Sequence, residues 1–186
     1  MDIPFAFFGF AALSIARIGY VGFDVLPVNK AALVQKIIAQ LAAELEGYAQ
    51  SARSAHAEAT DEQSKAENKY DTRGLEASYL ARGQSRQAAE TAEALEQFAA
   101  LPLRDFGPGE PIDLGALVEL ETKAGTACYF IGPRAGGMEV AQGRREVLVI
   151  TPQSPLGQQL VGKQQGEQWD MQLAGRRNAC RVVSVA

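Results

Sequence analysis

The sequence predicts an α+β protein: an N-terminal antiparallel coiled-coil hairpin of two long helices, then a small antiparallel sheet with one short helix on it. Three observations predict it. From Asn29 to Leu101 small or apolar residues recur at alternating steps of four and three. Residues 102–115 break that rhythm with Pro102, Gly107, Pro108, Gly109 and Pro111. Beyond them the apolar residues come in short runs divided by glycine-bearing turns, as strands do.

Helix one is expected from Asn29, a good N-cap, to about Ala59. Its stripe is Val34, Ile38, Leu41, Leu45, Tyr48, Ala52, Ala55 and Ala59. Helix two continues with Tyr70, Gly74, Ala77, Ala81, Gln84, Ala88, Thr91, Leu95 and Phe98. A repeat of 3.5 residues keeps one stripe facing a partner helix. Between the stripes, Thr60 to Ala66 carries no large apolar side chain, which suits a turn near residue 62. Arms of roughly 45 Å follow from a rise of 1.5 Å per residue. The large apolar residues sit at the open end and the alanines toward the tip, so the hairpin is thick at its base and slender at its end. Ser64-Lys65-Ala66-Glu67 has the form of a capping box for helix two, and Leu101-Pro102 closes that helix.

After the linker at 102–115, strands are expected at Ala116–Thr122, Thr126–Ile131, Gly137–Val140 and Glu146–Ile150. A short helix follows, with Ser154 as N-cap, Pro155 in its first position and Gly162 just past its end. Gln168–Leu173 and Asn178–Val185 complete the set, joined at Ala174-Gly175-Arg176. Residues 116–186 thus form the second domain, balanced in charge: beyond residue 100 there are nine basic and nine acidic residues.

Residues 1–28 differ from all of this. Ile3 to Ala16 is almost wholly apolar, Arg17 interrupts, and Ile18 to Leu26 resumes with Asp24 inside. A membrane span needs roughly 20 apolar residues, and Arg17 falls inside any such window; a secretory signal wants a basic start, and here the start is Asp2. A poor membrane anchor, a packed hydrophobic flap and an upstream extension ahead of a true start at Val28 all fit. No stable membrane association is expected.

Composition narrows the classes. Across 186 residues, 47% hydrophobic and 22% charged content is that of a folded soluble protein, and a net charge of −4 argues against a general nucleic-acid coat. Cys128 and Cys180 fit no metal or redox spacing and read as free thiols in a reducing, cytoplasmic setting. His56, without a second His or Cys nearby, reads as a solvated helix residue.

Two motifs carry a resemblance. Thr151-Pro152-Gln153-Ser154-Pro155-Leu156-Gly157, then Leu160-Val161-Gly162-Lys163 and Gly166-Glu167, resembles the C-terminal signature of the Gre family of bacterial transcription elongation factors. Glu67-Asn68-Lys69-Tyr70, with Tyr79 and Arg82-Gly83 beyond, is similar to the pattern that follows the Gre hairpin tip. The order of parts matches too, over about Asn29 to Val185.

The resemblance implies an FKBP-like fold for the second domain and RNA polymerase as partner. The second domain would sit at the rim of the secondary channel while the hairpin reaches inward, in indirect contact with nascent RNA. Ser154, Pro155, Lys163 and Tyr70 are the implied partner-binding residues. Asp61, Glu62 and Glu67 are the implied tip acids, with no cofactor of the chain's own but a Mg²⁺ held jointly with the polymerase for cleavage of backtracked transcripts. Carboxylates suit that ion, which keeps several waters and takes one or two protein ligands. The chain would be no enzyme itself, stimulating at most the polymerase's own RNA cleavage.

The tip departs from the family pattern. Ser64 stands where an Asp is expected three residues before Glu67, and one residue is missing between Asn68 and Tyr70. A non-cleaving modulator of polymerase is therefore a parallel expectation. Lys65, Lys69, Arg73, Arg82 and Arg86 fit a solvated face or a polymerase or RNA contact equally. An FKBP-like chaperone or adaptor with a coiled-coil arm would need an aromatic-lined cleft, for which Tyr129, Phe130 and Trp169 are the candidates. A membrane-tethered adaptor would depend wholly on residues 1–28.

Overall fold

The computed structural model describes residues 29–60, 73–107, 109–173 and 175–186. Residues 1–28 and the segment 61–72, with Asp61, Glu62, Glu67 and Tyr70, lie outside the described residues, as do the readings made of them. The elements are α1 (Lys30–Thr60), α2 (Arg73–Ala99), β1 (Leu117–Thr122), β2 (Gly125–Ile131), β3 (Glu139–Gln142), β4 (Arg145–Ile150), α3 (Gly157–Leu160), β5 (Gln168–Leu173) and β6 (Arg176–Val185).

α1 starts where its cap dictates. The Asn29 side-chain oxygen accepts the Ala32 N–H at 3.1 Å, and its carbonyl accepts the Leu33 N–H at 3.0 Å. The two helices lie side by side, the first turns of α1 against the last turns of α2. Burial follows the expected stripe, with Val34, Leu41, Ala55, Thr91 and Phe98 buried and Leu45, Tyr48, Ala52, Ala81, Gln84 and Ala88 half-buried. A second stripe was not in the sequence reading. Leu33, Ile37 and Ala94 are buried one position to the side, because the helix bases rest on the sheet as well as on each other.

The six strands form one sheet in the order β3-β4-β2-β1-β6-β5. It is mixed, which corrects the antiparallel sheet expected from the sequence. β2 and β4 run parallel, with Cys128 opposite Val147 and Ile131 opposite Ile150. The reason lies in the connection. The chain leaves β2 through residues 132–138, runs out along the sheet edge as β3, and β4 returns into the gap. That loop turns on Ala135 at φ 58 and Gly137 at φ 98.

Alternation along the strands gives the sheet two apolar faces. Leu117, Phe130, Val147, Val149 and Val140 meet the helix bases through Leu33, Val34, Ile37, Leu41, Ala94 and Phe98. Val118, Leu120, Ile131, Ile150, Met171, Cys180 and Val182 meet α3 through Leu156 and Leu160. Phe106 and Ile112 join this second cluster, so the proline-rich stretch 102–115 is partly core rather than a free tether. The register with β1 skips Val183, a bulge on β6, so Glu119 opposes Ser184 and the next residue, Leu120, opposes Val182. Val182 and Val185 are three residues apart and would face opposite sides of a regular strand; the extra residue lets both be buried.

Both sheet edges are covered by side chains. On β3, the Ala141 carbonyl accepts from Lys36 Nζ at 2.7 Å and the Glu139 carbonyl from Gln40 Nε2 at 3.5 Å. On β5, the Gln159 amide donates to the Gln172 carbonyl and accepts the Gln172 N–H, each at 2.8 Å. These contacts blunt an edge that otherwise invites pairing with another chain.

Candidate functional site

The Ser154-to-Glu167 segment is built by close backbone turns. Ser154 Oγ donates to the Thr151 carbonyl at 2.7 Å and accepts the Gly157 N–H at 3.0 Å. The Gln158 N–H reaches the Ser154 carbonyl at 2.9 Å. Ser154 therefore caps the turn, but α3 itself begins later, at Gly157 with Leu156 in the cap position. Pro155 is exposed in the preceding turn and not the first helical residue, a correction of the sequence reading. The Ser154 N–H to Thr151 carbonyl bond at 3.0 Å closes that turn before the helix starts.

Gly157 is fixed by space. A Cβ there would lie 1.9 Å from the Thr151 carbonyl oxygen, a backbone atom that cannot step aside. Gly162, at φ +88, ends α3 as expected and gives its N–H to the Ile112 carbonyl at 2.8 Å. The Lys163 carbonyl accepts the Ile112 N–H at 2.7 Å, so these two pairings staple the end of α3 to the 102–115 stretch.

Lys163 turns its side chain inward. Nζ sits 4.8 Å from the centre of the Trp169 ring and 3.2 Å from Glu167 Oε2. The Gln164 N–H at 2.9 Å, and then Lys163, hold the Glu167 carboxyl below its ordinary pKa. Gly166 and Glu167 pair with Val182 of β6 through backbone bonds of 2.9 and 3.0 Å. Of the three C-terminal residues expected to meet a partner, Ser154 and Lys163 are engaged within the fold and Pro155 is open. No sequence pattern singles out Ile112, the far side of the staple, or Gln159, which bonds Gln172 of β5.

Where α1 begins, a second cluster joins helix to linker. Lys30 is 8% exposed; its Nζ donates to the Arg104 carbonyl, lies 4.0 Å from Asp105 Oδ1 and stands 5.1 Å from the Phe106 ring. The Arg104 guanidinium covers the same ring at 3.9 Å and bonds Glu110 at 2.7 Å. Burial lowers the Lys30 pKa, and Asp105 opposes that shift.

Beyond the sheet the arm continues. Past Leu41, α1 runs on to Thr60, roughly 28 Å at 1.5 Å per residue. On α2, Leu75, Tyr79 and Leu80 are each more than half exposed. His56 is exposed, consistent with a solvated helix residue. Cys128 and Cys180 are free thiols, both raised in pKa chiefly by burial. Among the described residues no group of three His, Cys, Asp or Glu could hold a metal ion, and no helix is long and apolar enough to cross a membrane.

The three candidate cleft aromatics do not converge. Tyr129 and Phe130 are neighbours on β2 and face opposite sides; Phe130 is buried under the helices, while Tyr129 and Trp169 pack against the other cluster.

Neither a protein-family model nor a curated protein sequence matches the chain. Three solved structures align along most of its length. The GreA factor homolog 1 (Gfh1) protein of Thermus thermophilus is 19% identical, covers 86% of this chain and 96% of its own, and gives a TM-score of 0.34. Gfh1 of Thermus aquaticus is 21% identical over 83% and 94%, with a TM-score of 0.33. A structure described as the transcription factor Gfh1 is 24% identical over 82% and 95%, with a TM-score of 0.35. TM-scores this low describe loose superpositions, which say nothing of what this chain does.

Proposed function

We propose that this chain is an RNA polymerase-binding factor of the Gre type, acting through the secondary channel. The observation that supports the reading is the arm. Two long helices are seated by their bases on a sheet, run on well past it, and are joined by a segment that carries Asp61, Glu62 and Glu67. Such a shape suits delivery of charge into a deep site. The sequence signature from Ser154 to Glu167 adds the resemblance, and an FKBP-like second domain belongs to the same proposal.

Asp61, Glu62 and Glu67 are the residues that would hold a Mg²⁺ jointly with the polymerase. Their oxygens are the right donor class, though their geometry lies outside the described residues. The bound ion would orient water and offset charge in phosphoryl chemistry. The chain's own part would be to carry the carboxylates to that position and hold them there. Pro155 is the open member of the C-terminal set and the best placed of the three for docking; Tyr70 is assigned to the arm's contact with the channel. Nascent RNA would be met only within the elongation complex.

A non-cleaving modulator is the second reading. Ser64, standing where the resemblance calls for an Asp, supports it. A chaperone with an aromatic-lined cleft is not supported, since Tyr129 and Phe130 face opposite sides of the sheet.

Stalled, backtracked elongation complexes with purified protein and Mg²⁺ test the proposal. Co-purification with polymerase and faster transcript cleavage, lost on Asp61→Ala, Glu62→Ala or Glu67→Ala, is the expected outcome for a cleavage factor. Binding without faster cleavage assigns the modulator role. Absence of binding overturns both.

A further inference from the structure

The connectivity of the sheet brings three hairpin turns to one end of it. β1 finishes and β2 begins at the 122–125 turn. β4 runs parallel to β2, so the turn that joins β3 to β4 lies beside it. β6 runs antiparallel to β1, so the turn from β5 into β6 points the same way. In the strand order β3-β4-β2-β1-β6-β5 these turns recur at every second strand, about 10 Å apart at the usual strand spacing. They do not end level. Thr122, the last residue of β1, is opposite Cys180, and Arg177 lies three residues further along β6. The β5–β6 hairpin therefore projects beyond the end of β1 by about 10 Å at 3.3 Å per residue.

The turns are also where the positive charge of residues 116–186 collects. The stretches 122–126, 142–145 and 173–178 hold Lys123, Arg144, Arg145, Arg176 and Arg177 and no carboxylate. Basic and acidic residues are equal in number beyond residue 100, so this end is positive and the remainder negative. Lys123, Arg144 and Arg177 are exposed and form no ion pair among the described residues. The nearest carboxylates lie further back: Glu119 bonds Arg145 at 3.4 Å and Glu121 bonds Arg181 at 3.0 Å. Asp170 is opposite Ala179, behind the level of Arg177, and Glu146 follows Arg145 on the other face of β4. None of the large apolar side chains exposed among the described residues lies at this end. The core of a protein–protein interface is apolar, whereas a nucleic-acid interface is polar and strongly positive.

We infer that this end of the sheet docks on the phosphate backbone of duplex DNA, independently of sequence. The projecting β5–β6 hairpin is a two-stranded ribbon, an element that the major groove, about 12 Å wide, admits. With the ribbon against that groove, the two lower turns, in steps of about 10 Å, meet the phosphates on its flank. Arg144 and Arg177 carry the planar fork that suits phosphate, and Lys123 acts as a point charge. A duplex brings its phosphates to this stepped surface already fixed, whereas a single strand must first be ordered onto it. The chain as a whole carries a charge of −4, so the attraction is local and sensitive to salt. The arm takes no part, and the inference stands apart from the polymerase reading.

Fluorescence anisotropy of the full chain with a labelled duplex of about 20 base pairs, titrated at several salt concentrations, tests this. Log affinity should fall with log salt at a slope of about −2.7, for three phosphates neutralised at about −0.9 each. That slope is a loss of roughly twentyfold between about 50 and 150 mM salt. Lys123→Gln, Arg144→Gln and Arg177→Gln should each flatten the slope by about 0.9 and weaken binding to duplexes of different sequence alike. Arg134→Gln, which removes a cation from the opposite end of the sheet, leaves the slope unchanged. Absence of binding at about 50 mM salt overturns the inference. So does an intact slope in the triple variant, which would place the contact elsewhere on the chain. Tighter binding to a single-stranded RNA of equal length overturns the duplex assignment, and equal competition by polyglutamate at matched charge would mean an acidic protein as partner. Thermal unfolding shows which variants keep the fold, and the slope of any one folded variant decides the outcome.

Discussion

Replacing Phe98 and Gly132 by Ala, singly and together, tests what seats the arm on the sheet. Phe98 is 1% exposed, and its ring stacks on Phe130 at 6.4 Å between centres and 27° between planes. The ring edge lies directly above Gly132. A Cβ at residue 132 would sit 2.8 Å from Phe98 Cζ and 2.9 Å from Val149 Cγ1, closer than real Cβ contacts come. Phe98 cannot swing away to make room, because Phe130 and the α1 base confine it. Phe98→Ala should therefore cost about 3–5 kcal/mol for lost burial and the cavity left behind. Gly132→Ala should cost about 1–3 kcal/mol from overpacking. At roughly 2–4 °C per kcal/mol for a chain of this size, the first variant melts about 6–20 °C below the parent. In the double variant the new methyl enters the space the ring vacated. The second substitution then costs less than it does alone, by about 1 kcal/mol within the usual range for touching residues. Urea unfolding of the four proteins reads the cycle. Additivity within about 0.5 kcal/mol would refute the idea that these two residues form the joint.

Two further outcomes follow from single contacts. Gln159→Ala removes both bonds to Gln172, each worth about 0.5–1.5 kcal/mol, and should speed hydrogen exchange of the Gln172 amide more than that of its neighbours in β5. Lys30 has a folded pKa held below its unfolded value of 10.5, so the unfolded chain binds more protons between the two and stability rises with pH across that window. Below the lowered pKa the burial penalty is present in full. Denaturation from pH 7 to 10.5 should show the Lys30→Met variant gaining less stability with pH than the parent; parallel curves would argue against a buried amine.

Much of the element order can be read from the sequence because it rests on local periodicity. The stripe from Val34 to Ala55 and the strands at 168–173 and 145–150 are set by which residues alternate, and the chain forms them nearly where expected. What escaped depends on residues far apart in sequence. Leu33 and Ile37 flank the helix stripe and look like a wider apolar face; only the sheet beneath explains their burial. The parallel β2–β4 pair cannot be inferred from the Gly143 turn, which fixes β3 against β4 but not which of them takes the place beside β2. Phe106 and Ile112 sit among prolines and glycines that read as linker, yet they have a core to enter. The bulge at Val183 leaves no local mark beyond the odd spacing of Val182 and Val185.

The segment from Ser154 to Glu167 illustrates how residues can be fixed by folding rather than by a contact with a partner. Ser154, Gly157, Gly162, Lys163, Gly166 and Glu167 are each accounted for by an internal bond, a forbidden Cβ or a left-handed turn. Residues fixed by such constraints would stay the same whether or not a partner touched them. They report on how residues 151–185 fold and leave any partner to be argued from the arm. On the arm, the constraints run the other way. Leu75, Tyr79 and Leu80 are exposed to solvent, and the fold alone would accept polar residues there. The variants that separate a polymerase factor from a look-alike fold are accordingly those of the arm and of Asp61, Glu62 and Glu67, and substitutions within the staple would report mainly on folding.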